Sequence, residues 1–221
     1  KDKTIAKTVS GTDFTLALKA DGTVWTWGYN GYGQLGLGDN SNRYRPTQIN
    51  IENVVDIAAG NNHALLVTAD GKVYSFGSNS YGQLGRTGNT YTPQEIPNLE
   101  NIEKVSAGNY HSIALDKDGN VYTWGLNSKG QLGNRTTETV SIPEKITGLD
   151  NQVVKVAAGG NLSAIIDSTG DVYVFGDNSK EQIEEFKYNY DEFGQKILPA
   201  LNTYVSQPIK VQTVENAVKV Q

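Results

Sequence analysis

Residues 21–28 read Asp-Gly-Thr-Val-Trp-Thr-Trp-Gly, and this phrase occurs four times in the chain. Its copies are DGKVYSFG at residues 70–77, DGNVYTWG at 118–125 and TGDVYVFG at 169–176. The final glycines, at positions 28, 77, 125 and 176, are 49, 48 and 51 residues apart. A fixed period of this length is the signature of a tandem repeat protein.

Each copy of the phrase predicts a tight β-hairpin. Asp-Gly between two short β-type runs is a strong turn signal, because glycine adopts a positive φ at low cost. The strand after the turn alternates valine with aromatic residues, so both of its faces are expected to be buried. Proline-containing runs predict a third strand, and runs such as residues 54–57 predict a fourth. Four-stranded units repeated in this way predict an all-β protein, a β-propeller with four blades of four antiparallel strands.

The repeats span about residues 10–58, 59–106, 107–157 and 158–221, and we interpret residues 1–221 as a single propeller segment. The fourth-strand pattern occurs five times, because residues 4–9 carry a surplus copy, and the chain contains no methionine. We therefore expect a fragment of a longer propeller. Its terminal blades would expose faces made for neighbours, which predicts self-association.

A second motif follows each aromatic strand. Gly-Gln-Leu-Gly occurs at residues 33–36, 82–85 and 130–133, and residues 58–63 and 106–111 place a glycine three residues ahead of a histidine. This set resembles the repeat of the regulator of chromosome condensation (RCC) family over roughly residues 7 to 220. The resemblance implies RCC-type blades in a ring that usually has seven. Kelch repeats share the period but usually carry a double glycine ahead of spaced aromatic residues.

The resemblance does not fix a function, since members of the RCC family are implied to act in several ways: nucleotide exchange on a small GTPase, chromatin docking, ultraviolet sensing and inhibition of β-lactamases. Departures from the pattern are confined to the first and last repeats. Phe14 and Leu162 stand where the histidine is expected, and residues 181–184 read Glu-Gln-Ile-Glu in place of Gly-Gln-Leu-Gly. We expect these blades to be less regular.

Composition argues against several classes of function. The 19 basic and 24 acidic residues give a net charge of −5, whereas a nucleic-acid-binding protein normally has a basic excess, so we expect no DNA partner. There is no cysteine, and His63 and His111 fall in different repeats, so we expect no metal, no cofactor and no catalytic site. We interpret both histidines as structural groups that bond the backbone of an adjoining strand or loop. No apolar run is long enough to predict a membrane span.

The stretch 177–207 is an insertion in the last repeat. The distance from the final glycine of the phrase to the proline is 32 residues there, against 18, 16 and 18 in the others. Ser179 followed by Gln182 resembles a capping box, and Ile183, Phe186 and Tyr190 are three and then four residues apart, which predicts a short acidic amphipathic helix. This helix either covers the blade edge or binds a partner. Its candidate binding residues are Glu181, Glu184, Glu185, Phe186, Tyr188 and Tyr190.

Tyrosine and arginine residues in the loops form a second candidate surface, because these residue types are the usual anchors of protein interfaces. The set comprises Tyr29, Tyr32, Arg43, Tyr44, Arg45, Tyr81, Arg86 and Arg135. Together the patterns predict a non-catalytic protein-binding scaffold. They do not identify its protein partner. The alternatives are a guanine-nucleotide exchange factor and a carbohydrate-binding or enzyme-inhibitor propeller. We favour a bacterial extracellular or cell-surface location over the cytoplasm.

Overall fold

The computed structural model describes residues 4–180, 183, 189–190, 196–197 and 203–211. The described strands form four antiparallel sheets of four strands each, which we number blades 1 to 4, and one small two-stranded sheet. Blade 1 contains β1 (Ile5–Ser10), β2 (Phe14–Lys19), β3 (Val24–Gly28) and β4 (Arg43–Gln48). Blade 2 contains β5 (Val54–Ala59), β6 (His63–Thr68), β7 (Val73–Gly77) and β8 (Gln94–Glu95).

The other two blades follow the same plan. Blade 3 contains β9 (Ile102–Ala107), β10 (His111–Asp116), β11 (Val121–Gly125) and β12 (Val140–Lys145). Blade 4 contains β13 (Val153–Gly159), β14 (Leu162–Asp167), β15 (Val172–Asp177) and β18 (Tyr204–Lys210). The described residues contain no helix, and the predicted all-β propeller with four-stranded blades is confirmed.

The four blades form an arc around their first strands. Strands β1, β5, β9 and β13 contact one another in succession, so they are the inner strands, and β4, β8, β12 and β18 are the outer ones. Each inner strand pairs with the strand that follows it in sequence. The run at residues 54–57, which ends the first sequence repeat, therefore begins blade 2. Residues 4–9 likewise complete blade 1, and the fifth copy at residues 217–220 lies outside the described residues.

The hydrophobic core is divided into three clusters, each of which lies between two successive blades. At the first junction Phe14, Leu16 and Leu18 of blade 1 pack with Ile57, Leu66 and Phe76 of blade 2. At the second junction the indole of Trp124 is fully buried, and its Nε1 donates a hydrogen bond to the carbonyl of Gln83 in blade 2 at 2.9 Å. Trp25 and Trp27, on blade 1, are only half-buried. The expected self-association through terminal blades stays a prediction.

The insertion contains a small hairpin among its described residues. Strand β16 (Asn189–Tyr190) pairs in antiparallel fashion with β17 (Lys196–Ile197). The predicted helix is therefore wrong at Tyr190, which lies in a strand, in keeping with the strand preference of tyrosine and with a hairpin connection of five residues that includes a glycine. The rest of that prediction lies outside the described residues, except that Ile183 is buried at the third junction.

The Gly-Gln-Leu-Gly loops fix each blade to the next one. Gly82 has a φ of 74°, and a Cβ at this position would lie 2.6 Å from the Cα of Ser141 on the outer strand of blade 3. Gly33 and Gly130 make the same close approach to blades 2 and 4. Only glycine satisfies both the backbone conformation and the contact.

We expect Gly82→Ala to destabilise the protein much more than Gly88→Ala. Gly88 also has a positive φ, 92°, but a Cβ there would meet nothing within 4 Å, so it reports the backbone cost alone. That cost is about 1 kcal/mol, and the added clash should bring the loss for Gly82→Ala to about 3 kcal/mol or more in the free energy of unfolding. Urea unfolding of both variants measures the difference. Equal losses would show that the contact with Ser141 is not tight.

Candidate interaction surface

Two sets of connections emerge on the same side of the arc. The loops between inner and second strands and the loops between third and outer strands lie at one end of every sheet, because successive strands are antiparallel. We call this side the loop face. The Asp-Gly hairpin turns and the links between blades lie at the opposite end, which we call the turn face. The predicted tyrosines and arginines lie between the third and outer strands or at the start of β4, so they all belong to the loop face.

Amide side chains build the loops that follow the aromatic strands. In blade 1 the Oδ1 atom of Asn30 accepts a hydrogen bond from the backbone amide of Leu35 at 3.0 Å, and the Oε1 atom of Gln34 accepts one from Tyr32 at 2.9 Å. Blades 2 and 3 repeat both bonds. In blade 4 Asn178 makes the equivalent bond to the amide of Ile183 at 2.7 Å. The last blade thus retains this loop contact, which the altered motif had hidden.

The loop face carries five tyrosines that we call the tyrosine patch. They are Tyr29, Tyr32, Tyr81, Tyr91 and Tyr110, and all except the more buried Tyr110 are 40–49% exposed. The rings of Tyr29 and Tyr32 meet edge to face with centroids 6.1 Å apart, and those of Tyr81 and Tyr110 lie 5.1 Å apart. Three of the predicted loop residues, Tyr29, Tyr32 and Tyr81, therefore belong to aromatic pairs on this face.

Tyr91 joins the first pair across the junction between blades 1 and 2. Its carbonyl accepts a hydrogen bond from the amide of Gly38 at 2.9 Å, and its ring lies against Gly33 of the preceding blade. Tyr91 was not among the predicted residues, although Tyr44 stands at the equivalent position two residues before the proline of the first repeat, and Ser141 at that of the third. The backbone bonds of these loops hold the tyrosines on fixed supports.

The arginines do not form a single surface with these tyrosines. Arg43 is held by its own loop, since its guanidinium pairs with Asp39 at 2.6 Å and lowers the pKa of that carboxyl. Arg45 and the 94% exposed Tyr44 lie beside it on the outer strand β4. Arg86 is buried, and the prediction that it lies on a surface is wrong: its guanidinium donates to Ser75 and to the carbonyl of Asn89, and burial lowers its pKa.

The acidic insertion contributes little to the described surface. Glu181, Glu184, Glu185, Phe186 and Tyr188 lie outside the described residues. Of this set of predicted binding residues, only Tyr190 lies within a described element, as part of β16.

The inner loops of the loop face are tied together from blade to blade. The amide of Thr12 donates to the carbonyl of Asn61 at 3.1 Å, that of Asn61 to Asn109 at 3.1 Å, and that of Asn109 to Gly160 at 2.8 Å. These loops surround a central depression of about 330 Å³ lined largely by glycine, alanine and asparagine. These backbone amides point along the arc and not into the depression. Their hydrogen bonds therefore stabilise the contacts between blades.

Beneath these loops, buried histidines connect successive blades. The Nε2 atom of His63 lies 3.1 Å from the hydroxyl of Ser112 in blade 3, and that of His111 lies 2.9 Å from Ser163 in blade 4. Each serine hydroxyl also donates to a glutamine carbonyl of the preceding blade, at 2.8 Å in both cases. The histidines therefore reach the backbone through a serine, and not directly as we predicted.

The direction of these bonds determines the state of the imidazoles. Ser112 has one hydroxyl proton and uses it on the carbonyl of Gln83, so it must accept from the Nε2–H of His63. The Nδ1 atom then carries no proton, and it is buried without a hydrogen-bond partner among the described residues. Burial lowers the pKa of His63 to about 4 and that of His111 to about 3. Both are neutral at physiological pH.

The first junction uses an apolar version of the same contact. Phe14 begins β2 where His63 begins β6, and Ala64 stands where Ser112 and Ser163 stand in later blades. Both Phe14 and Ala64 are buried in the core of that junction. Histidine is thus paired with serine, and phenylalanine with alanine, which sequence comparison within one repeat could not show.

We expect stability to fall as the pH drops below about 6.5. The unfolded histidines have a pKa near 6.5, and the folded ones are lowered to about 4 and about 3, so between these values the unfolded chain binds protons that the folded chain does not. Each histidine contributes a slope of up to about 1.4 kcal/mol per pH unit to the free energy of unfolding. Urea unfolding at a series of pH values between 7 and 4.5 measures it.

A matched variant isolates one histidine. His63→Phe combined with Ser112→Ala installs the pair found at the first junction, and it should remove about half of the pH dependence in this window. The carboxyl groups with lowered pKa values, such as that of Asp167, titrate below this window and do not confuse the result. An unchanged slope in the double variant would contradict the assignment of this dependence to the buried histidines.

The described residues contain neither a candidate metal cluster nor a candidate membrane-spanning helix. No group of three or more histidine, aspartate or glutamate side chains within them is placed to hold a metal ion. In the same part of the chain, no helix has the length and apolar character required to cross a membrane.

The repeated sheets, the inter-blade cores and the loops built by asparagine and glutamine define a β-propeller of tandem four-stranded blades. The family can be stated more narrowly. The model of the RCC1-like domain matches residues 1–221, and the chain belongs to that family. The predicted RCC-type repeat is therefore confirmed.

Solved structures with the same fold include Prp20p from Saccharomyces cerevisiae. It is 25% identical, with a TM-score of 0.77 over 95% of this chain and 52% of that protein. Human WBSCR16 is 23% identical, with a TM-score of 0.79 over 96% of this chain and 55% of that protein. Yeast RCC1 (Prp20) bound to Kap60 is 24% identical, with a TM-score of 0.76 over 95% of this chain and 50% of that one. The chain spans about half the length of these structures.

Proposed function

We propose that this chain is a non-catalytic scaffold that binds a protein partner on its loop face. The observation that carries the proposal is the tyrosine patch, in which four exposed tyrosines of blades 1 and 2 are joined by the half-buried Tyr110 of blade 3. Tyrosine supplies a large contact area with little loss of side-chain freedom, and it is enriched among the residues that dominate binding energy. Because these loops are already held in place, binding through their side chains should cost little conformational entropy.

The only serine–histidine contacts among the described residues support a scaffold without chemistry of its own. A nucleophilic serine must give its proton to the histidine. Here the hydroxyl proton of Ser112 is directed at the carbonyl of Gln83, and His63 donates to the serine oxygen. Both side chains are fully buried. This arrangement suits a structural bond between blades.

The comparisons agree with a protein partner. The structure of Prp20p was reported together with its binding properties to Gsp1p and histones, and yeast RCC1 (Prp20) was solved bound to Kap60. For this chain, which spans about half of Prp20p, the partner and the face that binds it are our proposal.

We expect Tyr32→Ala combined with Tyr81→Ala to lose the partner while leaving the fold intact. Each truncation removes one member of an exposed aromatic pair and should weaken binding about tenfold, or about 1.4 kcal/mol. Affinity capture with isotope-labelled mass spectrometry should show proteins that the unmodified chain retains and the double variant does not. Tyr44→Ala is the control, because Tyr44 is 94% exposed on β4, outside the patch. If the double variant, with an unchanged urea midpoint, retained the same proteins, the loop face would not be the binding surface.

Nucleotide exchange on a small GTPase is the second candidate, and the likeness to Prp20p at 25% identity favours it. An exchange factor acts by binding its GTPase, so the tyrosine patch would then be part of the surface that binds the GTPase. We expect the chain, if it acts this way, to accelerate the release of fluorescent GDP from one member of a panel of small GTPases. The double tyrosine variant should abolish this acceleration. Release at the spontaneous rate from every member would reject exchange and leave the scaffold proposal standing.

A further inference from the structure

A groove on the turn face lies away from the tyrosine patch. Its volume is about 610 Å³, and it occupies the junction between blades 1 and 2. The walls come from the link at residues 50–53 and the hairpin turn at residues 68–70. Ile51, Tyr74 and Pro93 supply the apolar part of the lining.

Two carboxylates that form no salt bridge with the described residues stand at this groove, and one of them, Asp70, is attracted by the nearby Lys72. Glu52 and Asp70 are exposed, and neither forms an ion pair with any residue that the structure describes. The adjacent Lys72 is occupied by Glu95 at 3.0 Å. The hydroxyl of Thr68 donates to Asp70 at 2.6 Å and lowers the pKa of that carboxyl, so Asp70 is ionised at neutral pH. The groove therefore offers negative charge beside apolar surface.

The next junction contains the same framework with different chemistry. The amide of Ala69 donates to the carbonyl of Asn53 at 2.8 Å, and the amide of Lys117 donates to that of Asn101 at 3.0 Å, so Ala69 and Lys117 are equivalent. The carboxylates and the aromatic ring recur there as Glu100, Asp118 and Tyr122. The exposed Lys117 thus accompanies the acidic groups at the second junction. At the first junction this position is Ala69, which has only a methyl group.

The tyrosine hydroxyl differs between the two junctions as well. Tyr122 donates to the buried carboxylate of Asp116 at 3.3 Å, and Tyr173 makes the same bond to Asp167 in blade 4. Thr68 stands at this position in blade 2, and the hydroxyl of the half-buried Tyr74 has no hydrogen bond to the described residues. The first junction alone thus combines unpaired carboxylates, an unengaged phenol and an apolar lining.

We propose that this groove binds an arginine side chain carried by an extended apolar segment of a partner protein. Charge complementarity points to a cation, and the mixed lining favours arginine over lysine. A guanidinium is planar, pairs with carboxylates through two parallel hydrogen bonds and stacks on a tyrosine ring, whereas an ammonium is a compact and strongly hydrated charge. The neighbouring Ile51 and Pro93 receive the apolar residues beside the arginine. This surface is distinct from the tyrosine patch. The proposal therefore does not depend on whether the loop face binds a partner.

The test uses the whole chain labelled with nitrogen-15 and the peptide acetyl-Leu-Arg-Leu-amide. We expect saturable chemical-shift changes at the backbone amides of Asn53, Ala69 and Asp70 as the peptide is titrated to about 5 mM, a range that detects millimolar affinity. The peptide with citrulline in place of arginine keeps the shape and loses the charge. It should bind about tenfold more weakly, as expected for the loss of a charge-assisted pair.

Two matched variants separate the groove from general acidic attraction. Ala69→Lys installs the residue that stands at the second junction, and it should weaken the arginine peptide about tenfold. Lys117→Ala alters the equivalent position of blade 3 and should leave the changes around Asn53 as they are. Both positions are exposed in turns, so neither variant threatens folding. The combined Tyr32→Ala and Tyr81→Ala variant should bind the peptide normally.

Three results would overturn the proposal. The first is no saturable change at the groove. The second is equal binding of the citrulline peptide, which would show that the guanidinium is not recognised. The third is binding that Ala69→Lys does not weaken, which would place the peptide elsewhere on the acidic turn face.

Discussion

The packing of one blade on the next is the interaction on which this structure depends. Leu65 and Leu66 are neighbours on β6, yet the first belongs to the core shared with blade 3 and the second to the core shared with blade 1. Because successive side chains of a strand point to opposite faces, blades 2 and 3 each contribute to two cores, and neither blade encloses a core of its own. A single blade would expose both of its apolar faces to water, so the array, and not the blade, is the stable unit.

This constraint explains why the polar contacts between blades come in matched pairs. A histidine placed in a core needs a partner for its proton, and in blades 2 and 3 the next blade supplies a serine whose own proton is taken by a backbone carbonyl. Where blade 1 has Phe14, blade 2 has Ala64, and no polar group is left over. We expect a change on one side of a junction to destabilise the contact unless the facing blade changes with it. The blades therefore keep the same shape along the arc, while the contact between two blades is either a polar histidine–serine pair or an apolar phenylalanine–alanine pair.

Much of the fold could be predicted from the sequence because the same hairpin pattern occurs four times. The Asp-Gly turns and the alternating aromatic strands each specify a hairpin, and these were correctly placed. What could not be predicted depends on contacts between segments that lie apart in the sequence, even within one repeat. Arg86 looks like a surface residue in its own loop, but Ser75 and the carbonyls around it bury the guanidinium. The predicted helix failed at Tyr190 because a period of three and four residues over so short a stretch does not outweigh strand pairing.

The same reasoning indicates where function resides in a protein built from copies. Residues that recur in every blade, such as Asn30 and Gln34, are occupied by the loops they build and have little left to offer a ligand. Surfaces that can recognise a partner arise where copies differ. Tyr91 lies against the glycine loop of the preceding blade, where blades 3 and 4 place Ser141 and Ser206. Ala69 on the turn face leaves a groove open at the first junction, whereas Lys117 stands at the equivalent position of the second. Differences between repeats identify candidate sites here more reliably than any motif, because the motif is already committed to holding the blades together.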